Sequence, residues 1–462
     1  MTKKEKFQTF INNTKTKIIS LKTNYTFLIC CLLTFIYLTS GYWKWLEIGV
    51  SLCALVFMIF LPIKESFCVF MYLHCFTRSN IGYDSCFMVT LIGYCIILLV
   101  KYIIGVKKKQ YPVYKKLLIS IIDFYVITTA ISLFKPIYMG SFLYYVYLPI
   151  AYLILCMRKD ISISKGMNYM FGGLVASCLL AIIFGFIPYF QYPIIPGSRF
   201  QAFLNNTNYL YIRAIFILCY YMFRFGSNKI SSLKFLTIFL ICSIISLSTK
   251  SKTGIAMLAL MTFIFIIAYL AQDFKKRIKI VSIFLVVLTG VCLVGYKFII
   301  ETIQRFISDF SSKDIVNSLL TFRDEIWIRY LYEICGSPWT ALFGHGILKQ
   351  QIFIAHIFGH TETHNFYLFL LYRFGIIGTV GLGYIVSLFV KCINKEKPKF
   401  IAYLPLIFIL LEGMCDNTFK CYNFTYYILA IAILFIGCKE KPQKPELKDN
   451  KNENNKNNDE LI

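Results

Sequence analysis

From residue 24 onward the chain is a succession of apolar runs, most of them about 20 residues long, joined by short polar links. A run of that length, wound as an α-helix, crosses about 30 Å of hydrocarbon. Within the runs apolar residues follow one another without alternation, which excludes the strands of a membrane β-barrel. The pattern predicts an all-α fold, a polytopic transmembrane helix bundle with spans at 24–41, 46–62, 64–77, 84–104, 116–134, 140–157, 167–187, 208–224, 234–249, 253–271, 278–298, 364–390, 400–414 and 421–438. The third run is short and contains Lys64, Glu65 and His74, so it reads as a tilted or re-entrant piece. One link differs in scale from the others. The polar segment 299–363 is too long for a turn, and loops of that size carry function.

Composition removes the soluble classes: 58 % of residues are hydrophobic, and the mean hydropathy is +0.65. The net charge of +25 raises nucleic acid as a partner, but its placement argues against it. Lys and Arg gather in links at 3–22, 107–116, 158–165, 224–234, 275–279, 391–399 and 439–444, the distribution that holds links on the cytoplasmic side. These residues are expected to set topology and meet membrane lipids, with no nucleic acid involved. Both termini are then cytoplasmic and the number of crossings is even, about 14 if the short third run is counted, with 12 as the alternative. The expected organisation is a basic cytoplasmic N-terminus (1–23), a single transmembrane domain (24–438) with an extracellular loop (299–363), and a disordered cytoplasmic tail (439–462). No small-residue cleavage site follows the first apolar run, so no cleaved signal peptide is expected. Most of the 17 cysteines lie inside apolar runs without C-x-x-C spacing, which implies neither a zinc site nor a disulfide framework.

The same topology places 188–207, 250–252, 299–363 and 415–420 on the outer face, where basic residues run against the positive-inside rule. Arg199 precedes a helix expected to begin near Asn208, and Arg213 lies further along it. The alternatives are a solvated Arg199 with a snorkelling Arg213, or two arginines facing a wet cavity that accepts an anion. Lys250 and Lys252 flank Ser251 in a tight turn ahead of Thr253 and Gly254. This is either an ordinary helix connection or a phosphate cradle of ammonium groups and backbone N–H. Arg323 opens TFRDEIWIRYLYEI, whose apolar residues recur at helical spacing and predict an amphipathic helix on the outer surface of the membrane. Its charge serves an anion, pairs with Asp324 or Glu325, or is simply solvated.

His364 stands at the mouth of a helix beneath the large loop, where a ring nitrogen can take a proton from a hydroxyl; the alternative is a helix-end histidine bonded to backbone. His345, His356 and His360 are too loosely spaced for a metal site. Arg373 lies deep in the same helix and needs a partner, with Asp123, Glu412 and Asp416 as the acidic candidates.

In order and placement these parts resemble the O-antigen ligase and polymerase superfamily, which includes Wzy-type polysaccharide polymerases. The likeness rests on Arg199 with Asn205, Asn206 and Asn208, the turn 248–254, Arg323 with Trp327, the glycines Gly344 and Gly346, and His364-Asn365 leading into Gly375 and Gly378. One departure is Lys250-Ser251-Lys252, where the family often has Ser-Arg; lysine keeps the charge without the bidentate fork. The resemblance implies a glycosyltransferase of the bacterial plasma membrane that acts at its outer face on an undecaprenyl-diphosphate-linked oligosaccharide. It implies no metal and no other cofactor. His364 would be catalytic and Arg199, Lys250, Lys252 and Arg323 would hold the diphosphate, with Asn208, Arg213 and Arg373 secondary. Other polysaccharide-assembly proteins are candidate partners. The alternatives are a ligase or protein O-oligosaccharyltransferase, which differ in acceptor, and a flippase of lipid-linked sugars, which would more naturally show two similar halves.

Overall fold

A computed structural model describes residues 25–40, 46–77, 85–133, 144–185, 200, 202–204, 207–272, 274–294, 296, 300, 304, 323–348, 352–354, 359–361, 363–393 and 400–415. In chain order the helices are α1 (Tyr25–Thr39), α2 (Leu46–Phe60), α3 (Ile63–Leu73), α4 (Ser85–Lys107), α5 (Lys115–Ser132), α6 (Tyr144–Cys156), α7 (Ile163–Phe184), α8 (Thr207–Gly226), α9 (Ser232–Ser248), α10 (Lys252–Leu270) and α11 (Phe274–Val294). The loop region adds α12 (Arg323–Cys335) and α13 (Pro338–Phe343), and α14 (Phe366–Ile393) and α15 (Leu404–Cys415) follow. Several starts are written in the sequence as serine caps. Ser162, Ser231 and Ser251 each accept a backbone N–H from the first turn of α7, α9 and α10, and Ser337 with Thr340 forms a capping box on α13.

The helical membrane class stands. By length and composition, four helices among the described residues can cross a membrane: Met88–Lys107, Ile163–Phe184, Lys252–Leu270 and Phe366–Lys391. Shorter apolar helices accompany them, among them Leu46–Phe60 and Ser232–Ser248. The segment counted as the third span forms α3, 11 residues long, which rises only about 16 Å, half the hydrocarbon thickness. It is buried from Ser66 to Leu73, mostly against α7, so it is a short helix packed inside the bundle and too short to cross by itself. The N-terminal segment, the tail from 439 and the last expected span lie outside the described residues.

At the centre is α8. From Tyr209 to Phe223 no residue is more than 4 % exposed, Arg213 included, so the helix is enclosed by neighbours on every side. It packs against α7, α9, α10 and α15.

The described residues of the large loop form defined elements. Its helix α12 is amphipathic, as the spacing predicts, but its buried face of Ile326, Tyr330 and Ile334 covers Tyr372 of α14 instead of lying on the lipid surface. A two-stranded antiparallel hairpin, Ile352–Ile354 with Gly359–Thr361, is an addition the sequence pattern did not announce. Below α13, Gly344 (φ +70°) and Gly346 (φ +86°) lay the backbone directly on α14 at its break, where Gly375 has φ 60° and ψ −170°. The carbonyls of Tyr372 and Arg373 at that break accept the N–H groups of His345 and Gly346 at 2.9 and 2.8 Å. A Cβ on Gly344 would stand 2.5 Å from the Gly375 nitrogen, so this G-x-G step is a backbone dock that side chains would prevent.

Candidate functional site

The basic turn comes first. Ser248 ends α9, Lys250 takes the left-handed conformation (φ 49°), and Ser251 caps α10 by accepting from Gly254 N at 3.3 Å. A left-handed lysine reverses the chain in two residues, which leaves Lys250 and Lys252 half-buried beside the positive end of α10. The Ser251 hydroxyl also donates to Asn208 Oδ1 at 3.4 Å, tying the turn to the start of α8. Phe200 N donates to the Ser248 carbonyl at 3.3 Å. Arg199 itself lies outside the described residues, but its neighbour is docked on the turn.

One helical turn into α8, Tyr211 connects this corner to α15. Its ring packs so closely on Gly254 that a Cβ there would come within 2.7 Å, and its hydroxyl donates to Glu412 Oε1 at 2.6 Å. Both residues are buried.

Three residues beyond Glu412, α15 ends and presents carbonyls at the negative pole of its dipole. Arg323 Nη1 donates to Cys415 O at 2.6 Å, and Asn365 Nδ2 reaches Met414 O at 3.5 Å. Tyr367 Oη donates to Leu410 O at 2.8 Å. Asn365 at the same time caps α14, its Oδ1 accepting from Tyr367 N and Leu368 N at 3.0 and 3.1 Å. His364, immediately before it, is half-buried in the left-handed conformation (φ 46°). That conformation is held from above, where Trp327 Nε1 of α12 donates to the Thr363 carbonyl at 2.9 Å. The pairing of Arg323 with Trp327 thereby acquires a physical meaning. Four residues apart on α12, one side chain grips the end of α15 and the other grips the residue before His364.

Hydrogen bonds thus link the turn of Lys250 and Lys252, through Asn208 and the Tyr211–Glu412 pair, to α15, and link Arg323 and Asn365, the neighbour of His364, to the end of that same helix, so that these elements form one connected corner. Two other arginines have structural work. Arg213 is fully buried and donates to the carbonyls of His74 and Tyr209, both at 2.9 Å. Arg373 is 1 % exposed, donates to Ile347 O at 2.8 Å and lies against the ring faces of Tyr144 and Phe369. It anchors the turn segment that carries Gly344 and Gly346. Glu412, considered as a partner for Arg373, accepts from Tyr211.

Among the other histidines, His345 is buried with its ring on Tyr372, and its Nε2 lies 3.3 Å from the Glu333 carbonyl. His360 belongs to the hairpin and His356 lies outside the described residues. Among the described residues no group of His, Cys, Asp and Glu is placed to hold a metal. Sequence reading did not find Tyr211 or Asn365 as connectors: a tyrosine within an apolar run carries no signal of the carboxylate it will meet, although S/T/D/N before a helix does flag Asn365 as a cap.

Residues 237–383 match a family model described as O-antigen ligase. The matched segment runs from α9 through the basic turn, the loop and His364 to the distal half of α14, and so carries most of the corner. No curated protein matches the chain. The family implies a membrane glycosyltransferase-like enzyme with a lipid-linked oligosaccharide as its substrate class, on a multi-pass helical membrane protein.

Proposed function

We propose, from the O-antigen ligase-type domain at residues 237–383, that the protein is a polymerase of cell-surface polysaccharide working at the outer face of a bacterial plasma membrane. It would transfer a glycan from undecaprenyl diphosphate to a hydroxyl of the next lipid-linked repeat unit. The observation that supports this reading is the run of hydrogen bonds that ties the cationic turn, Arg323 and the neighbour of His364 to one helix, α15. Fixed cations there suit a diphosphate leaving group, whose charge grows as the glycosidic bond breaks. Lys250, Lys252, Arg323 and Arg199 take the diphosphate, and Asn208 holds the turn in position. Arg323 uses one of its five donors on Cys415, and the rest of its fork serves the anion.

In the reaction, His364 accepts the proton of the acceptor hydroxyl or orients it. The acceptor oxygen bonds to the anomeric carbon, and the carbon–oxygen bond to the diphosphate breaks. Undecaprenyl diphosphate leaves with the electron pair. No step requires a metal or nucleotide.

A ligase is the second reading, favoured by the description of the matching family model. Incubating the purified protein with lipid-linked repeat units separates the readings. Products lengthening by whole repeats identify a polymerase, a single transfer to a different acceptor identifies a ligase, and the absence of any covalent product leaves transport.

A further inference from the structure

Away from this corner, a cleft of about 260 Å³ opens between α5 and the distal half of α14. Its walls are apolar, from Phe124, Phe374 and Tyr384, and its floor is widened by Gly378 and Gly381. Asp123 lines it and is exposed. On either side of Asp123, α5 exposes Ile119, Ile122, Val126 and Ile127, a surface suited only to lipid tails or another apolar helix. The sequence pattern expects a span at 116–134, and in that topology Asp123, two turns into α5 and roughly 12 Å from Lys115, falls at hydrocarbon depth. A carboxyl group at that depth is costly unless something bonds to it. Among the described residues nothing does. The nearest cation along the helix, Lys116, sits roughly 10 Å away along α5 and places its Nζ over the ring of Tyr384, 5.9 Å from the centroid.

We infer that this cleft is a docking site for a transmembrane helix of a partner protein, one that inserts a lysine or arginine to meet Asp123. The glycines let the partner approach, and the acid selects it by charge. A second copy of this chain fits poorly. A two-fold axis along the membrane normal brings each residue to its own depth, so Asp123 would meet Asp123. The inference does not depend on the polymerase reading, since the cleft lies outside the catalytic corner.

The full chain, donor-labelled at its N-terminus and reconstituted in phosphatidylcholine vesicles, tests this by energy transfer to synthetic transmembrane peptides. One peptide is a Leu/Ala helix with a single Lys at the depth of Asp123; the other carries Leu there. The Lys peptide is expected to associate about tenfold more tightly. Asp123→Asn should abolish that preference and Asp123→Glu should keep it. Gly381→Leu fills the cleft without touching the carboxyl and should also abolish it. A Cβ on Gly381 stands 4.0 Å from its nearest neighbour, the Phe124 ring, so the substitution starts without a clash at Cβ. Equal binding of both peptides, or a preference that survives Asp123→Asn and Gly381→Leu, overturns the inference. So does self-association of the chain that depends on Asp123, which would give this face to a second copy.

Discussion

Arg323 and Asn365 donate to adjacent carbonyls, those of Cys415 and Met414, at the end of α15. One belongs to the loop helix and the other caps α14, so the last turn of α15 is the clamp that holds loop and bundle in register. Arg323→Lys preserves charge but loses the planar fork that can serve a carbonyl and an anion together. Loss of one charge-assisted hydrogen bond costs about 1.5–3 kcal/mol, which predicts a fall of about 10- to 100-fold in kcat/KM for Arg323→Ala. Arg323→Lys should fall between the two. Steady-state kinetics with lipid-linked repeats checks the order, and a fully active Arg323→Ala removes Arg323 from the site.

The Tyr211–Glu412 bond joins the basic turn to the same clamp from below. Tyr211→Phe removes one donor from a buried carboxyl and is expected to destabilise the protein by about 1–3 kcal/mol. Replacing both residues, as Tyr211→Phe with Glu412→Leu, should restore part of that loss. A thermal-unfolding double-mutant cycle in detergent measures the coupling. Strict additivity would show that the two side chains do not act as a pair.

Gly344→Ala is predicted to be among the most damaging single-methyl changes in the chain. Its φ of +70° disfavours any L side chain, and the added carbon meets the backbone of α14. The loop should then undock, which limited proteolysis within 299–363 would detect as faster cleavage. Unchanged proteolysis would show that the step at Gly344 is not what anchors the loop.

Much of this arrangement is legible in the sequence, and for identifiable reasons. Apolar runs of membrane-crossing length announce the helices, and basic residues on the wrong side of the expected topology point to Lys250, Lys252 and Arg323. The amphipathic spacing after Phe322 predicts α12 but not what covers it, because lipid and the face of α14 are equally apolar. Arg213 and Arg373 look alike as intramembrane arginines. That both donate to backbone carbonyls depends on where distant segments fold, which no local pattern carries. The hub itself was hidden most completely, since α15 reads as an unremarkable apolar helix whose importance lies in the carbonyls at its end.

Topology is testable with a native side chain. Cys335, at the end of α12, is exposed. With the other cysteines replaced, it should react with a membrane-impermeant maleimide added to intact cells, because the loop is expected on the outer face. Labelling only after the membrane is opened would invert the topology and remove the outer-face site.

The central claim, that His364 handles the acceptor hydroxyl, is tested most directly by initial rates of glycan extension for His364→Ala at matched protein amounts. Binding of undecaprenyl diphosphate is measured on the same preparation, with His360→Ala as the control. Loss of a general base costs about 100- to 10,000-fold. The account predicts a loss of that size for His364→Ala with lipid-diphosphate binding intact, and little change for His360→Ala. Extension by His364→Ala at near the wild-type rate contradicts it.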